Sequence, residues 1–422
     1  MQERFTRHLE RYTTPIQETR PGASVDDLAP LGDRFDRKRI IGLGEATHGT
    51  KEFFQLKHRL IRFAVTELDF LLIGLESNFA ETVAINEYVI SGSGEPYTAL
   101  AGLSYWPWKT EEMLALVEWV RMYNEGRPDS QKVQFYGFDM QSVRGSARRI
   151  ETILKRVDAD CRAELESEIT TLTTTLDPTD SDNTFGWLTA ATTVVTELRD
   201  RFRRREDAYR AQLTPREWQL ATHHLRVIEQ SLEFHESVSA SNDADPNGVR
   251  DRCMAENVSR IMGLANEDRI ILWAHNGHLK RGEFATSHRA NAPKTMGHHL
   301  EQEYGDRYHP VGFEFGTGAF QAYPDPDTSQ ELSLRSFSVE SVPDETVPAV
   351  LAGVDGSCWY LDITSAVGDQ VVDDWIDTEQ IMHNIGSVHL GEFDAYVPVT
   401  LAEAFDGLIY VTETHRAVPI DA

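Results

Sequence analysis

The sequence predicts an α/β protein: a mostly parallel central sheet flanked by helices, with an inserted helical subdomain. Two observations carry this. Seven short, nearly continuous apolar runs recur along the chain, at 39–44 (RIIGLG), 70–75 (FLLIGL), 133–138 (VQFYGF), 269–274 (RIILWA), 311–315 (VGFEF), 358–363 (CWYLDI) and 407–411 (GLIYV). Such runs mark strands buried on both faces, as in a parallel sheet covered by helices. The second observation is a stretch of about one hundred residues, from Ser142 to Asn247, that is rich in Arg, Glu, Thr and Leu and holds no such run.

The elements follow in order. After the first run, residues 51–68 place Phe53, Leu56, Leu60, Phe63 and Leu68 at helical spacing, which makes a β-α-β start. The long stretch shows helical periodicity at 148–157, 162–176, 187–205 and 215–238. It reads as a helical subdomain, 142–249, set into an α/β core made of 1–141 and 250–422. The turn-rich segment 242–248 (NDADPNG) ends it. The acidic segment 325–355, which also contains Ser and Pro, reads as loop-rich.

Composition narrows the function classes. The 422 residues carry 41 Lys+Arg against 68 Asp+Glu, a net charge of −27, which opposes binding to nucleic-acid phosphates and to anionic membranes. Only 8 of the basic residues are Lys. A carboxylate-rich, lysine-poor chain suits concentrated salt, which screens the self-repulsion, and so points to a halophilic source. The first residues are charged and lack the apolar stretch of a secretory signal, and no apolar run reaches the ~20 residues of a membrane span. A soluble cytoplasmic protein is expected. Cys161, Cys253 and Cys358 are far apart and fit no metal or disulfide pattern, so three free thiols are expected.

Polar groups cluster where these strands end. Glu45 and His48 follow the first strand in GLGEATHGT (42–50). Glu76 ends the second, Asp139 the third and His275 the fourth, the last within WAHNGH (273–278). The carboxyl ends of parallel strands share one edge, and ligands bind there. A carboxylate that accepts Nδ1–H from a histidine fixes its tautomer and leaves Nε2 as a base for water. A second His or a cation would stabilise the oxyanion. No Gly-x-Ser-x-Gly elbow occurs, so direct activation of water is favoured over a serine nucleophile. Two His plus Glu is also a zinc set, so a divalent metal at His48, Glu76 and His275 is the alternative. No Walker loop is present, and Glu45 stands where a pyrophosphate would approach a glycine-rich loop. Trp106 and Trp108, with Tyr105, form either core packing or an apolar wall of the cleft. His298-His299 reads as a helix start or a surface pair.

An ordered series of motifs then resembles the erythromycin esterase family, which includes macrolide esterases and succinoglycan-biosynthesis-like proteins. The series is GLGEATHGTKEFFQLKHRL (42–60), GLESNFAE (74–81), WPWKTEEM (106–113), YGFDMQ (136–141), RDRCMAEN (250–257), WAHNGHLKR (273–281), MGHHL (296–300), YHPVGFEFGTGAF (308–320) and FDGLIYVTET (405–414). The resemblance implies an α/β core with helical additions and hydrolysis of a carboxylic ester, in the resistance enzymes a macrolactone. His48 resembles the catalytic base, Glu45 and Glu76 the site carboxylates, and His275 and His278 the histidine pair. Lys57 stands where some members have Arg, which keeps the charge but loses the planar fork. Arg250 resembles a site arginine. The substrate implied is a small-molecule ester, with no cofactor; from their places in the sequence Trp106, Trp108 and Asp139 are expected to help bind it. A metal-dependent hydrolase and a non-catalytic ligand-binding relative are the rival readings.

Overall fold

In the computed structural model, residues 2–173, 181–240, 245–284, 292–329, 331, 333–391 and 394–420 are described. Residues 242–244 of the expected linker lie outside them. The chain divides into two compact units: Met1–Glu76, Ile85–Phe135 and Asp268–Ala422 form the first, and Ser77–Ala84 with Tyr136–Glu267 the second.

Twelve strands are described: β1 (Thr13–Pro15), β2 (Ile40–Leu43), β3 (Leu72–Asn78), β4 (Gln134–Asp139), β5 (Ile270–Trp273), β6 (Tyr308–Pro324), β7 (Arg335–Val339), β8 (Cys358–Asp362), β9 (Glu379–His383), β10 (Val388–His389), β11 (Tyr396–Thr400) and β12 (Gly407–Thr414). The main sheet runs β1-β8-β12-β6-β2-β5-β3-β4. All seven apolar runs are strands of it. The pairs β12–β6, β6–β2, β2–β5 and β5–β3 are parallel, and β2 lies at the centre, buried at every residue. The sheet is therefore mostly parallel, as expected.

Its departures have a physical cause. Strand β8 pairs antiparallel with β12, and β1 antiparallel with β8. A strand buried on both faces reads as a continuous apolar run in either direction, so the run 358–363 carried no sign of its polarity. The loop-rich segment 325–355 also contains β7, antiparallel to β6, and a short helix, Val347–Leu351. Strand β7 is half exposed and polar, which hides it from an apolar count. Strands β9 and β11 form a separate antiparallel pair, exposed at Glu379 and Ile381.

Helix Lys51–Leu68 follows β2 and stops at Asp69, whose left-handed conformation (φ 56°) turns its N–H back to the Ala64 carbonyl. Its apolar stripe packs on the sheet, with Phe53 edge-on to Phe313 and Phe315 at 5.5 and 6.1 Å. The burial pattern then does something propensity cannot foresee: Lys57, His58 and Arg59 are buried too. Each needs a partner or must shed its charge.

The second unit is helical apart from its strand ends. Its described helices are Arg144–Val157, Ala159–Glu164, Glu166–Thr173, Ser181–Arg204, Glu206–Arg210, Pro215–Ser239 and Pro246–Ala265; the segments expected to be helical overlap them, and 174–176 of the expected 162–176 lie outside the described residues. The longest opens with a capping box, Thr214 and Glu217 satisfying each other's backbone donors. Ile150, Leu154, Leu198, Phe202 and Ile228 share one apolar core. The three cysteines are free and buried. Burial pushes the Cys253 and Cys358 thiols up to about 12, which leaves them inert at neutral pH. Among the described residues no helix is long and apolar enough to cross a membrane.

Candidate functional site

Register brings the motifs to one level. Leu43 pairs with Trp273 on one side and with Val311 on the other, and Leu75 also pairs with Trp273. Glu45, Glu76 and His275 each lie one or two residues beyond these partners, at the carboxyl edge of the first unit's sheet. The loop between β2 and its helix has no room for side chains at its ends. A Cβ on Gly44 would sit 2.1 Å from Asn276 Oδ1, and one on Gly49 would sit 2.1 Å from the Gln321 carbonyl. The glycines let the loop press against β6 and the Asn276 turn. Gly49→Ala is expected to lower stability by about 1–3 kcal/mol, as overpacking of a fixed backbone does, read as a shift in denaturant midpoint.

Glu45 is the centre of the group and is fully buried. Its Oε1 lies 2.7 Å from His48 Nδ1. Its Oε2 accepts from Lys57 Nζ at 2.5 Å and from Trp273 Nε1 at 2.8 Å. Burial alone would raise the Glu45 pKa; the Lys57 charge and the His48 hydrogen bond outweigh it and hold the carboxyl at about 2. Lys57 is itself drawn down to about 8 by burial, opposed by Glu45, and stays cationic at neutral pH. Its ammonium also stands over the Trp273 and Phe313 rings, at 4.5 and 5.3 Å. An ionised Glu45 can only accept, so His48 Nδ1 carries the proton and Nε2 is left as a base. That Nε2 has no hydrogen-bond partner among the described residues, and the His48 side chain is 13% exposed, against none for Glu45.

His275 lies beside His48, ring centroids 5.0 Å apart, with a different job. Its Nδ1 accepts from the Gly277 N–H at 3.1 Å, and its Nε2 lies 3.2 Å from the Ile385 carbonyl. Both nitrogens are engaged. Burial, with His48 close by, lowers its pKa to about 3, so the ring is neutral. It is therefore poorly suited to the role of a cation for an oxyanion. Nor does it offer a free lone pair to a metal, and among the described residues no group of three or more His, Cys, Asp or Glu is arranged to hold one.

Glu76 accepts the His275 backbone N–H on Oε2 at 2.9 Å and lies 3.2 Å from His278 Nε2 on Oε1. This is a second carboxylate–imidazole contact at the same edge. Trp108 belongs to the core: it is 1% exposed, edge-on to Trp273 at 5.7 Å, and donates Nε1–H to the Glu76 carbonyl at 3.1 Å. The expectation that Trp108 contacts substrate gives way to this supporting position behind Glu76. Trp106 lies at the surface of the core, edge-on to Tyr323 at 6.2 Å, and its Nε1 has no partner among the described residues. Asp139 and Arg250 both belong to the second unit, where they pair with each other at 2.7 Å. His298 and His299 open helix Met296–Tyr304, capped by Thr295.

Sequence reasoning missed three contributors. Trp273 ends β5 two residues before His275, a spacing that could have exposed it. Ile385 reaches the site by long-range pairing alone: its N–H donates to the Ala46 carbonyl at 2.7 Å, and it bridges Thr47. Gln321 is buried against Gly49 with its amide atoms unpartnered among the described residues.

A buried carboxylate that orients an imidazole at the carboxyl edge of a mostly parallel sheet defines an α/β chain equipped for proton transfer. The erythromycin esterase family model matches residues 65–414. The chain belongs to the erythromycin esterase family. It is 23% identical to erythromycin esterase type II of Escherichia coli over 439 aligned positions, which cover 97% of this chain and 98% of that protein. A crystal structure of a Bacillus cereus protein matches all of both chains with a TM-score of 0.83 at 24% identity. A variant of the erythromycin esterase EreC, in an open conformation, matches 97% of this chain and 99% of its own with a TM-score of 0.71 at 19% identity. These likenesses show the fold.

Proposed function

We propose that the protein hydrolyses a carboxylic ester by direct attack of water, with His48 as general base. The observation that carries this reading is the Lys57–Glu45–His48 chain, which fixes the tautomer and leaves Nε2 of a partly exposed ring without a partner. Water loses its proton to His48 Nε2 as its oxygen adds to the ester carbonyl. The tetrahedral intermediate collapses, the C–O bond to the alcohol breaks, and the imidazolium returns the proton to the departing alkoxide. Glu45 holds the imidazolium without taking its proton, as its low pKa requires. His278, held by Glu76, is the imidazole at this edge best placed to stabilise developing charge. Lys57 is buried and tied to Glu45, so it acts through Glu45 and does not contact the ester.

The family's named esterases make a macrolactone the first substrate to test. The experiment is mass-spectrometric: purified protein with erythromycin and a panel of lactones and acyl esters, with and without chelator. A gain of one water that survives chelation supports the metal-free reading. A gain abolished by chelator replaces it with the metal-dependent one. Ligand-induced thermal stabilisation without product would make the protein a binding relative.

The charge distribution adds a condition. The melting midpoint is expected to rise as KCl increases from about 0.1 M to about 3 M, because screening relieves the repulsion within a −27 chain. A flat or falling midpoint removes the salt-adapted reading.

A further inference from the structure

The first unit holds a further, fully buried carboxylate–imidazole dyad that the mechanism does not use. Glu314 on β6 and His383 at the end of β9 are both fully buried. His383 Nδ1 lies 2.6 Å from Glu314 Oε1, and the His383 backbone N–H donates to Oε2 at 2.9 Å. The Phe315 N–H adds a third donor at 2.8 Å. Backbone N–H groups donate to both carboxyl oxygens, which suits Glu314 as an acceptor and sets His383 as the Nδ1–H tautomer. Its ring is clamped between Phe315, stacked at 4.4 Å and 17°, and Tyr396 at 4.5 Å. Nε2 is thus left as a lone-pair acceptor, and it has no partner among the described residues. A buried acceptor without a partner is destabilising, so the site calls for a donor.

The surroundings supply a place for one. His383 lines a cavity of about 40 Å³ whose other polar walls are Asn276, Lys280 and Asn384 and whose apolar walls include Phe284, Val397 and Phe405. One water needs about 10–15 Å³ of such volume and two to four polar partners, so the space suits about three waters and little else. The cavity borders the turn that carries His275. Two residues beyond His383, Ile385 lies against His275 Nε2 through its carbonyl and bonds Ala46 through its N–H.

We propose that the Glu314–His383 dyad is a built water site, and that the water held on His383 Nε2 positions the 383–385 strap and, through Ile385, the His275 ring beside His48. His383 is then a positioning residue. Only its effect on turnover rests on the esterase reading; the water and the tautomer do not.

The test uses the full chain in three arms. A crystal structure should show a water about 2.7–3.2 Å from His383 Nε2. Nitrogen-15 spectra should show that Nε2 is unprotonated. His383→Phe keeps the stack between Phe315 and Tyr396 but cannot accept; it should lose the water and shift the His275 Nε2 resonance. On a verified ester it should lower kcat about tenfold with KM within about twofold, the scale on which outer-shell partners act. His383→Gln, which restores an acceptor, should recover part of the loss. A protonated Nε2, no water at Nε2, or an unmoved His275 resonance in His383→Phe overturns the proposal. If His383→Phe does not fold, the wild-type water and tautomer decide it. Absence of turnover in the wild type counts against the esterase reading and leaves these two measurements standing.

Discussion

His48→Ala should fold like the parent protein and lose about 10²–10⁴-fold in turnover on any ester the parent hydrolyses, the range by which a positioned general base accelerates. Two features make the contrast sharp. The ring is partly exposed and held by one hydrogen bond, so its removal opens little core. Glu45 keeps Lys57 and Trp273 as donors, so its carboxylate is not stranded. The loss should appear in kcat, since water activation is demanded only in the transition state. Hydrolysis in heavy-oxygen water should place one heavy oxygen in the acid product of the parent and leave none above background in the variant. A variant that retains full turnover would remove His48 from the mechanism.

Lys57→Met should be the most destabilising single change at the site, by about 3–5 kcal/mol at neutral pH, because it strands a buried carboxylate. The sign with pH follows from Glu45. In the parent its pKa is depressed to about 2, so ionisation contributes stability that is full above the ordinary carboxyl range near 4.3 and is lost as pH falls toward 2. In the variant the largest remaining influence is burial, which raises the pKa, so ionised Glu45 becomes a penalty that protonation relieves. The stability gap between parent and variant should narrow as pH is lowered from about 7.5 to about 5, read by denaturant midpoints. A gap that widens on acidification would mean that Glu45 is not held ionised by Lys57.

The site was legible in the sequence to the extent that it is local. Glu45 and His48 lie in one short loop, and their contact follows from a spacing of three residues after a buried strand. The runs at 39–44, 70–75 and 269–274 place Glu45, Glu76 and His275 at a common edge once they are taken as parallel. What stayed hidden depends on pairing between distant segments. Nothing near Ile385 announces that its carbonyl occupies His275, and this contact turns His275 from a candidate charge carrier into a neutral brace. Trp108 resembles a cleft wall in composition; its burial, its packing on Trp273 and its bond to the Glu76 backbone show it to be internal. Strand β8 hid its direction because burial on both faces erases the alternation that would have revealed it.

The position of β12 has a consequence for how the molecule can be assembled. Residues 407–414 lie inside the sheet, bonded to β6 on one side and to β8 on the other. A nascent chain that has emerged only as far as about residue 400 therefore carries an unpaired edge on β6 and another on the five-residue β8, with no closing segment. Such edges invite pairing with other chains until the missing strand arrives. The centre of the sheet, β2 between β5 and β6, draws on residues up to 311 and does not wait for it. Synthesis should thus pass through a half-built intermediate that needs a chaperone or speed. A premature stop shortly before 407 would remove an interior plank, not a trim, and should yield aggregate in place of a shortened enzyme.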